Sequence, residues 1–209
     1  MRSIHKGAEP QGLTDWKRTH PHGTYTDLSS KERQAIRQAC ALEQNYLCGY
    51  CCDAISGESA DTSNEHVEAQ KLAPHRSLDF NNIIASCTAQ HHCDNAHGSQ
   101  ALPLTPLMPE CETEIRYKLS GRIEGLTDRA KEAIRVLNLG DSEASNKALI
   151  EKRKYLYEAL IWANVGDPAE GLEDEEIIAI VIDDLLQPKD QRLIAFAPVL
   201  ASMIRSRRG

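Results

Sequence analysis

Behind Ser29 the apolar residues Ile36, Ala39, Cys40 and Leu42 recur at helical spacing, a stripe that a helix would bury. Ser29 and Glu32 stand three apart ahead of it, the spacing at which a hydroxyl and a carboxylate cap each other's backbone N–H. Residues 1–27 show no such period. Gly7, Pro10, Gly12, Pro21 and Gly23 punctuate them, so an irregular segment anchored by Trp16 and Tyr25 is expected. Tyr46-Leu47-Cys48 predicts a short strand entering a tight turn at Gly49, residues 57–63 a polar loop, and residues 64–67 a second strand. Asp79 predicts a helix N-cap, with the helix running through residue 85. Prolines from Pro103 to Pro109 mark a boundary, after which residues 115–118 and 122–124 flank Ser120-Gly121 as a hairpin. From Thr127 onward the period is helical, with segments at 130–137, 145–163, 173–186 and 193–205. The longest carries Leu149, Leu156, Leu160 and Ile161. The acidic run 173–176 suits a helix N-terminus, and Arg205-Ser206-Arg207-Arg208 reads as a basic tail.

Composition narrows the picture. At 209 residues the chain can bury a real core, hiding roughly 70% of its unfolded surface, as one domain or as a small module joined to a helical one. No apolar run reaches the length of a membrane span, and Met1 to Lys6 carry charges without an apolar signal core behind them, so neither membrane insertion nor export is expected. Seven cysteines, odd in number and clustered, point to metal in a reducing compartment rather than to a disulfide framework; a cytoplasmic location is expected. The net charge is −7, with 11 Lys+Arg against 15 Asp+Glu in residues 1–120 and 13 against 16 in residues 121–209. A stand-alone nucleic-acid binder usually carries a basic footprint. Any polyanionic substrate would therefore be delivered by something else, or met by a local patch.

The cysteines supply the first chemistry. Cys48 and Cys51 make one pair at knuckle spacing, and Cys87 and Cys93 a looser second pair with five residues between them. Four thiolates brought together form a closed tetrahedral zinc site, which is structural. His91 or His92 could replace Cys93, and Cys52 could replace Cys51. Cys40 and Cys111 have no partner at ligand spacing and are expected in the core.

Between the pairs lie Glu65-His66 and Asn82, and beside the last cysteine lie Asp94, Asn95 and His97. Hydrolysis of a phosphodiester needs an activated water and a cation to carry charge, and imidazole is the natural water activator near neutral pH. Cys48-Gly-Tyr-Cys51, Glu65-His66, Asn81-Asn82-Ile83-Ile84 and Cys87 to Cys93-Asp94-Asn95 together resemble the HNH, or ββα-metal, endonucleases. The resemblance implies an α+β fold: a zinc-stapled ββα-metal nuclease core with an N-terminal helix before it and a mainly helical C-terminal region after it. His66 would be the general base and Asn82 a brace for the loop presenting it. Glu65 would hold a catalytic Mg²⁺ or Mn²⁺, with Asn95 or Asp94 as second ligand and His97 the remaining option. Glu65 stands where many relatives have Asp, and Asp94 where many have His or Asn. Read without the resemblance, Asn82 could simply cap a helix, and His75, His91 and His97 are surface residues or phosphate contacts.

A closer likeness spans nearly the whole chain. Met1-Arg2-Ser3-Ile4-His5-Lys6-Gly7, Glu65-His66-Val67, Asn82-Ile-Ile-Ala-Ser-Cys87 and the His92-Cys93 ending are similar to the PtuB-type HNH endonucleases of bacterial Septu and retron-associated antiphage systems. What that implies is a bacterial effector that cuts DNA or RNA beside a PtuA-type ATPase, in retrons also with a reverse transcriptase and its RNA–DNA product. The expected organisation is an N-terminal segment (1–27) available to a partner, a nuclease module with zinc (28–110), and a helical region (111–209) that covers the core or docks a partner.

Overall fold

A computed structural model describes residues 1–164 and 175–206. The chain is α+β, with helices around two small antiparallel hairpins. Residues 1–10 and 20–24 are irregular as expected, but between them α1 runs Gln11–Thr19 and buries Leu13, with Trp16 packed against the core. Pro10 and Pro21 bracket this helix, and Gly12 lies in its first turn. Pro10 sits just before the first turn, where its missing N–H costs nothing. Helix α2, Ser30–Glu43, starts at the predicted Ser29–Glu32 box and buries Ile36, Cys40 and Ala41, while Leu42 turns out to solvent.

The central hairpin pairs β1 (Thr62–His66) with β2 (Ile83–Cys87), in a register that sets Thr62 opposite Cys87 and His66 opposite Ile83. The helix predicted behind Asp79 is therefore a strand. Asp79 does cap, accepting from the Asn81 N–H, but only one tight 3-10 turn, Phe80–Asn82, follows. Ile83 and Ile84 are β-branched, and all five β2 residues are buried in the sheet beneath α2. The strand predicted at residues 46–48 shrinks to a single bridge between Leu47 and Ala54, because Asn45 and Tyr46 hold φ of 51° and 58°. A short helix α3, Asp94–His97, completes the central unit.

Beyond the prolines, β3 (Ile115–Tyr117) and β4 (Ile123–Gly125) form the predicted hairpin, turned at Gly121 with φ 81°. Among the described residues four helices follow: α4 (Asp128–Val136), α5 (Glu143–Asn164, kinked at Asn146), α6 (Glu175–Leu186) and α7 (Ala197–Ser206). Residues 193–196, expected as the opening of the last helix, instead turn into it, with Phe196 at φ 62°. Residues 173–174 and the tail from Arg207 lie outside the described residues.

One apolar cluster runs from Met1 and Ile4 through Cys48 and Ile84 to Ile134, Phe196 and Met203, continuous across the proline-rich stretch. Ile4 N–H donates to Pro106 O at 2.7 Å, and the Met1 ammonium contacts the Tyr117 hydroxyl, so the N-terminus is tied into the body. Among the described residues no helix is long and apolar enough to cross a membrane.

Candidate functional site

The first knuckle follows α2 and docks on β2. Gln44 pins it from both sides: its amide donates to Ala85 O and Leu47 O, at 2.8 and 2.7 Å, and accepts from Ala85 N–H at 2.8 Å. Gly49 N–H adds a bond to Ala85 O at 3.0 Å. The left-handed backbone of the turn belongs to Cys52, at φ 66°. Gly49 is needed for closeness instead, since a Cβ there would meet Ile84 Cδ1 at 2.8 Å. The second knuckle closes its wide spacing with His91 and Cys93 at φ 69° and 55°, and Asn138 holds it by donating to His91 O at 2.7 Å.

These turns bring the sulfurs of Cys48, Cys51, Cys87 and Cys93 within 4.8 Å of one another, all four residues buried. Cys48 and Cys93 are 3.8 Å apart, and Cys51 and Cys87 3.9 Å. Zn–S bonds of about 2.3 Å in a tetrahedron imply S···S edges near 3.8 Å, so the four fit a structural zinc ion. Backbone N–H groups already point at the cluster, from Cys87 to Cys48 Sγ at 3.3 Å and from Asp53 to Cys51 Sγ at 3.5 Å. Hydrogen bonds from its three neighbours hold the Cys87 thiol far below the ordinary range; Cys48 is also lowered, by bonds from Cys51 and Cys93 that outweigh its burial. Cys93, not a histidine, supplies the fourth sulfur; His92 Nδ1 stands 3.1 Å from it as an outer partner. Cys52 lies apart, buried, with its carbonyl accepting from Phe196 N–H at 2.7 Å.

Beside the cluster lies a polar site. The Glu65 carboxylate, 6% exposed, accepts from the Tyr50 hydroxyl at 3.0 Å and meets His97 Nδ1 at 2.5 Å. His97 is thus wholly buried, not at the surface as expected, and its Nε2 donates to Gln100 O at 2.9 Å. Burial pushes the Glu65 carboxyl up to about 7, against the pull of the His97 hydrogen bond, and the nearby Asp94 charge adds to the rise. The His97 bond to Glu65 raises the imidazole in turn, despite its burial.

His66 ends β1 on the other side of the strand. Its Nε2 lies 2.9 Å from Ser77 O, which requires the proton on Nε2 and leaves Nδ1 as the acceptor nitrogen, 3.3 Å from the Gln70 amide. The Tyr25 ring meets it edge-on at 4.8 Å. Burial lowers the His66 pKa, partly offset by Ser77 O and the charge of Asp94, so the ring is neutral at pH 7. Asn82, 1% exposed, grips the next residues: it accepts from Glu68 N–H at 2.8 Å and donates to Glu68 O at 3.0 Å.

Of the residues singled out from sequence, Glu65, His66, Asn82 and Asp94 therefore share one neighbourhood. Asn95 does not join them. It is exposed, and its Oδ1 accepts from His91 N–H at 2.7 Å. His97 takes the place beside Glu65. Tyr50 went unnoticed in the sequence, although an aromatic hydroxyl inside a knuckle has few directions to point. Ser77 and Gln70 left no sequence signal, being positioned only by the fold. A cleft of about 500 Å³ opens next to the site, lined by Glu68, Arg76, Asn82, Gln100 and Leu102 among others; His66 does not line it. No protein-family model matches the chain, and no curated protein matches it either.

Proposed function

We propose that this chain is an HNH-type, metal-dependent endonuclease that hydrolyses nucleic-acid phosphodiester bonds. The observation carrying the reading is the pairing of a neutral, oriented imidazole at the end of β1 with a buried carboxylate next to it in sequence, on a hairpin stapled by four thiols. Zinc at Cys48, Cys51, Cys87 and Cys93 is structural in this reading.

The catalytic work falls to His66. With Nε2–H fixed on Ser77 O, Nδ1, which accepts from the Gln70 amide, is the nitrogen that would take a proton from an attacking water, and the Asp94 charge favours the imidazolium that results. Asn82 keeps the segment after His66 from shifting during that transfer. The Glu65 and Asp94 carboxylates form the hard donor set, and their chemistry suits a divalent cation. Burial holds Glu65 high and the Asp94 charge adds to it, while His97, engaged by Glu65 and by Gln100 O, would orient the Glu65 carboxylate. Mg²⁺ or Mn²⁺ held there would supply charge for the attacked phosphate and the leaving oxygen. The acidic balance of the chain and its likeness to PtuB-type effectors support delivery of DNA or RNA by a partner, proposed as a PtuA-type ATPase in a bacterial antiphage complex, with or without a reverse transcriptase and its RNA–DNA product.

A second reading, a zinc-stapled binding module without catalysis, is favoured by one fact: His66 is only 5% exposed and both ring nitrogens already have neighbours. Labelled DNA and RNA incubated with the protein and Mg²⁺ or Mn²⁺, alone and with its ATPase partner, separate the two. The nuclease reading expects fragments that vanish in His66→Ala while zinc content and folding persist. Intact strands throughout would favour the binding module, and undiminished cutting by His66→Ala would remove that residue from the chemistry.

A further inference from the structure

Two arginines on α2, Arg33 and Arg37, stand one helical turn apart beside the proposed base. Arg33 Nη2 donates to Thr26 O at 2.9 Å and Tyr25 O at 3.3 Å, and Arg37 Nη1 donates to Gln34 Oε1. Among the described residues neither makes an ion pair, a property they share with Arg2, Arg116, Arg153, Arg192 and Arg205. The Nε atoms of both, together with Asn64 Oδ1, are buried without a hydrogen-bond partner; the other such atoms among the described residues belong to Arg153. Asn64 touches both elements, donating to Arg33 O at 2.8 Å and to the Tyr25 hydroxyl at 2.9 Å. Incompletely satisfied polar atoms gathered in one place call for a missing partner.

The pair sits close to the chemistry. The Arg33 guanidinium carbon is 5.2 Å from the Tyr25 ring centre, and that same ring meets His66 at 4.8 Å. Both charges are felt at the Tyr25 hydroxyl. Residues 1–37 carry seven Lys and Arg against four Asp and Glu, a local excess inside a chain of net charge −7. A guanidinium offers a planar fork of donors suited to phosphate oxygens, and a half-buried one is screened less than a surface lysine.

We infer that Arg33 and Arg37 form a phosphate-binding subsite, holding the backbone of a nucleic-acid strand next to the bond that His66 is positioned to cut. This rests on the nuclease reading for its substrate class. Its geometry stands on the arginines alone.

The test uses the full-length, zinc-loaded protein and a fluorescein-labelled single-stranded dT20, with anisotropy read between 50 and 200 mM KCl without Mg²⁺, in wild-type and His66→Ala backgrounds. Binding should weaken with salt, and Arg33→Gln/Arg37→Gln should flatten the log–log slope by about 0.7 for each phosphate no longer neutralised. Arg33→Lys/Arg37→Lys, which keeps the charge, should restore most of the slope, guarding against a folding artefact. Arg116→Gln, on the exposed face of β3, should change nothing. An unchanged slope in the folded double glutamine variant, or no salt-dependent binding by the wild type, overturns the subsite. Cutting is read in a parallel reaction with Mg²⁺: a flattened slope with cutting retained in His66→Ala leaves the subsite standing and removes the proposed base. An unchanged slope with cutting abolished in His66→Ala does the reverse.

Discussion

The backbone N–H of Cys93 donates to the carbonyl of Leu137 at 2.9 Å, so the last thiol of the four-cysteine cluster is held by the turn after α4. The first knuckle is gripped from the same half, through Phe196 N–H to Cys52 O at 2.7 Å and the ion pair of Lys152 with Asp53 at 2.6 Å. The helices beyond residue 127 are therefore part of the thiol cluster's scaffold. A fragment ending at residue 127 should bind zinc poorly and melt without a cooperative transition, read by metal content and circular dichroism. A zinc-replete, sharply melting fragment would make those helices a separable attachment.

Removing the metal should be equally destructive. Four buried thiols within 4.8 Å repel once ionised, and structural zinc contributes about 10–16 kcal/mol of apparent binding energy in small modules. One zinc per chain is expected by elemental analysis, and Co²⁺ in its place should show the strong thiolate absorption of a tetrahedral site. Lowering the pH should release the ion, because each thiolate must then take a proton. Cys87→Ser should lose the metal and most of the folded signal. Full stability in excess chelator would mean that the cluster needs no ion.

Tyr50 gives a sharper probe of the polar site. Its hydroxyl, buried in the knuckle, reaches Glu65 at 3.0 Å. Tyr50→Phe keeps the ring and removes one donor from a buried carboxylate, so stability should fall by about 1–3 kcal/mol with zinc content unchanged. If Glu65 holds a divalent cation, the concentration of Mg²⁺ or Mn²⁺ needed for half-maximal cutting should also shift. A shift in stability alone would leave Glu65 a structural acid.

Much of this was legible in the sequence, for reasons that differ by residue. The Ser29–Glu32 box and the Ser120-Gly121 turn are local chemistry, and both appear where their spacing put them. The four cysteines declared themselves by spacing, although the wide loop between Cys87 and Cys93 needed left-handed backbone at His91 and Cys93 that no residue type there advertises. Asp79 misled because an N-cap signal specifies a turn's start and says nothing of its length; β-branched Ile83 and Ile84 then favoured a strand. Helix α1 was hidden by counting the prolines at its flanks and Gly12 within it as breakers. His97 was misplaced because burial against Glu65 is a tertiary fact, separated by 32 positions in the chain.

Asn82 offers the clearest separation of positioning from chemistry. Its side chain makes two hydrogen bonds to the backbone of Glu68, and its carbonyl accepts from Val67 N–H at 2.9 Å. Together these clamp the two residues that follow His66. Asn82→Ala abolishes the side-chain pair and strands a Glu68 N–H and C=O, which should cost about 1–3 kcal/mol, seen as a lower denaturant midpoint at constant slope. Asn82→Asp retains an acceptor for the N–H but sets a carboxylate against the C=O, so its stability loss should differ from that of Ala while the loop loosens in both. If the clamp serves His66, cutting should fall in both variants through kcat more than KM, with zinc content untouched. Stability loss with wild-type kcat would make Asn82 a fold residue only.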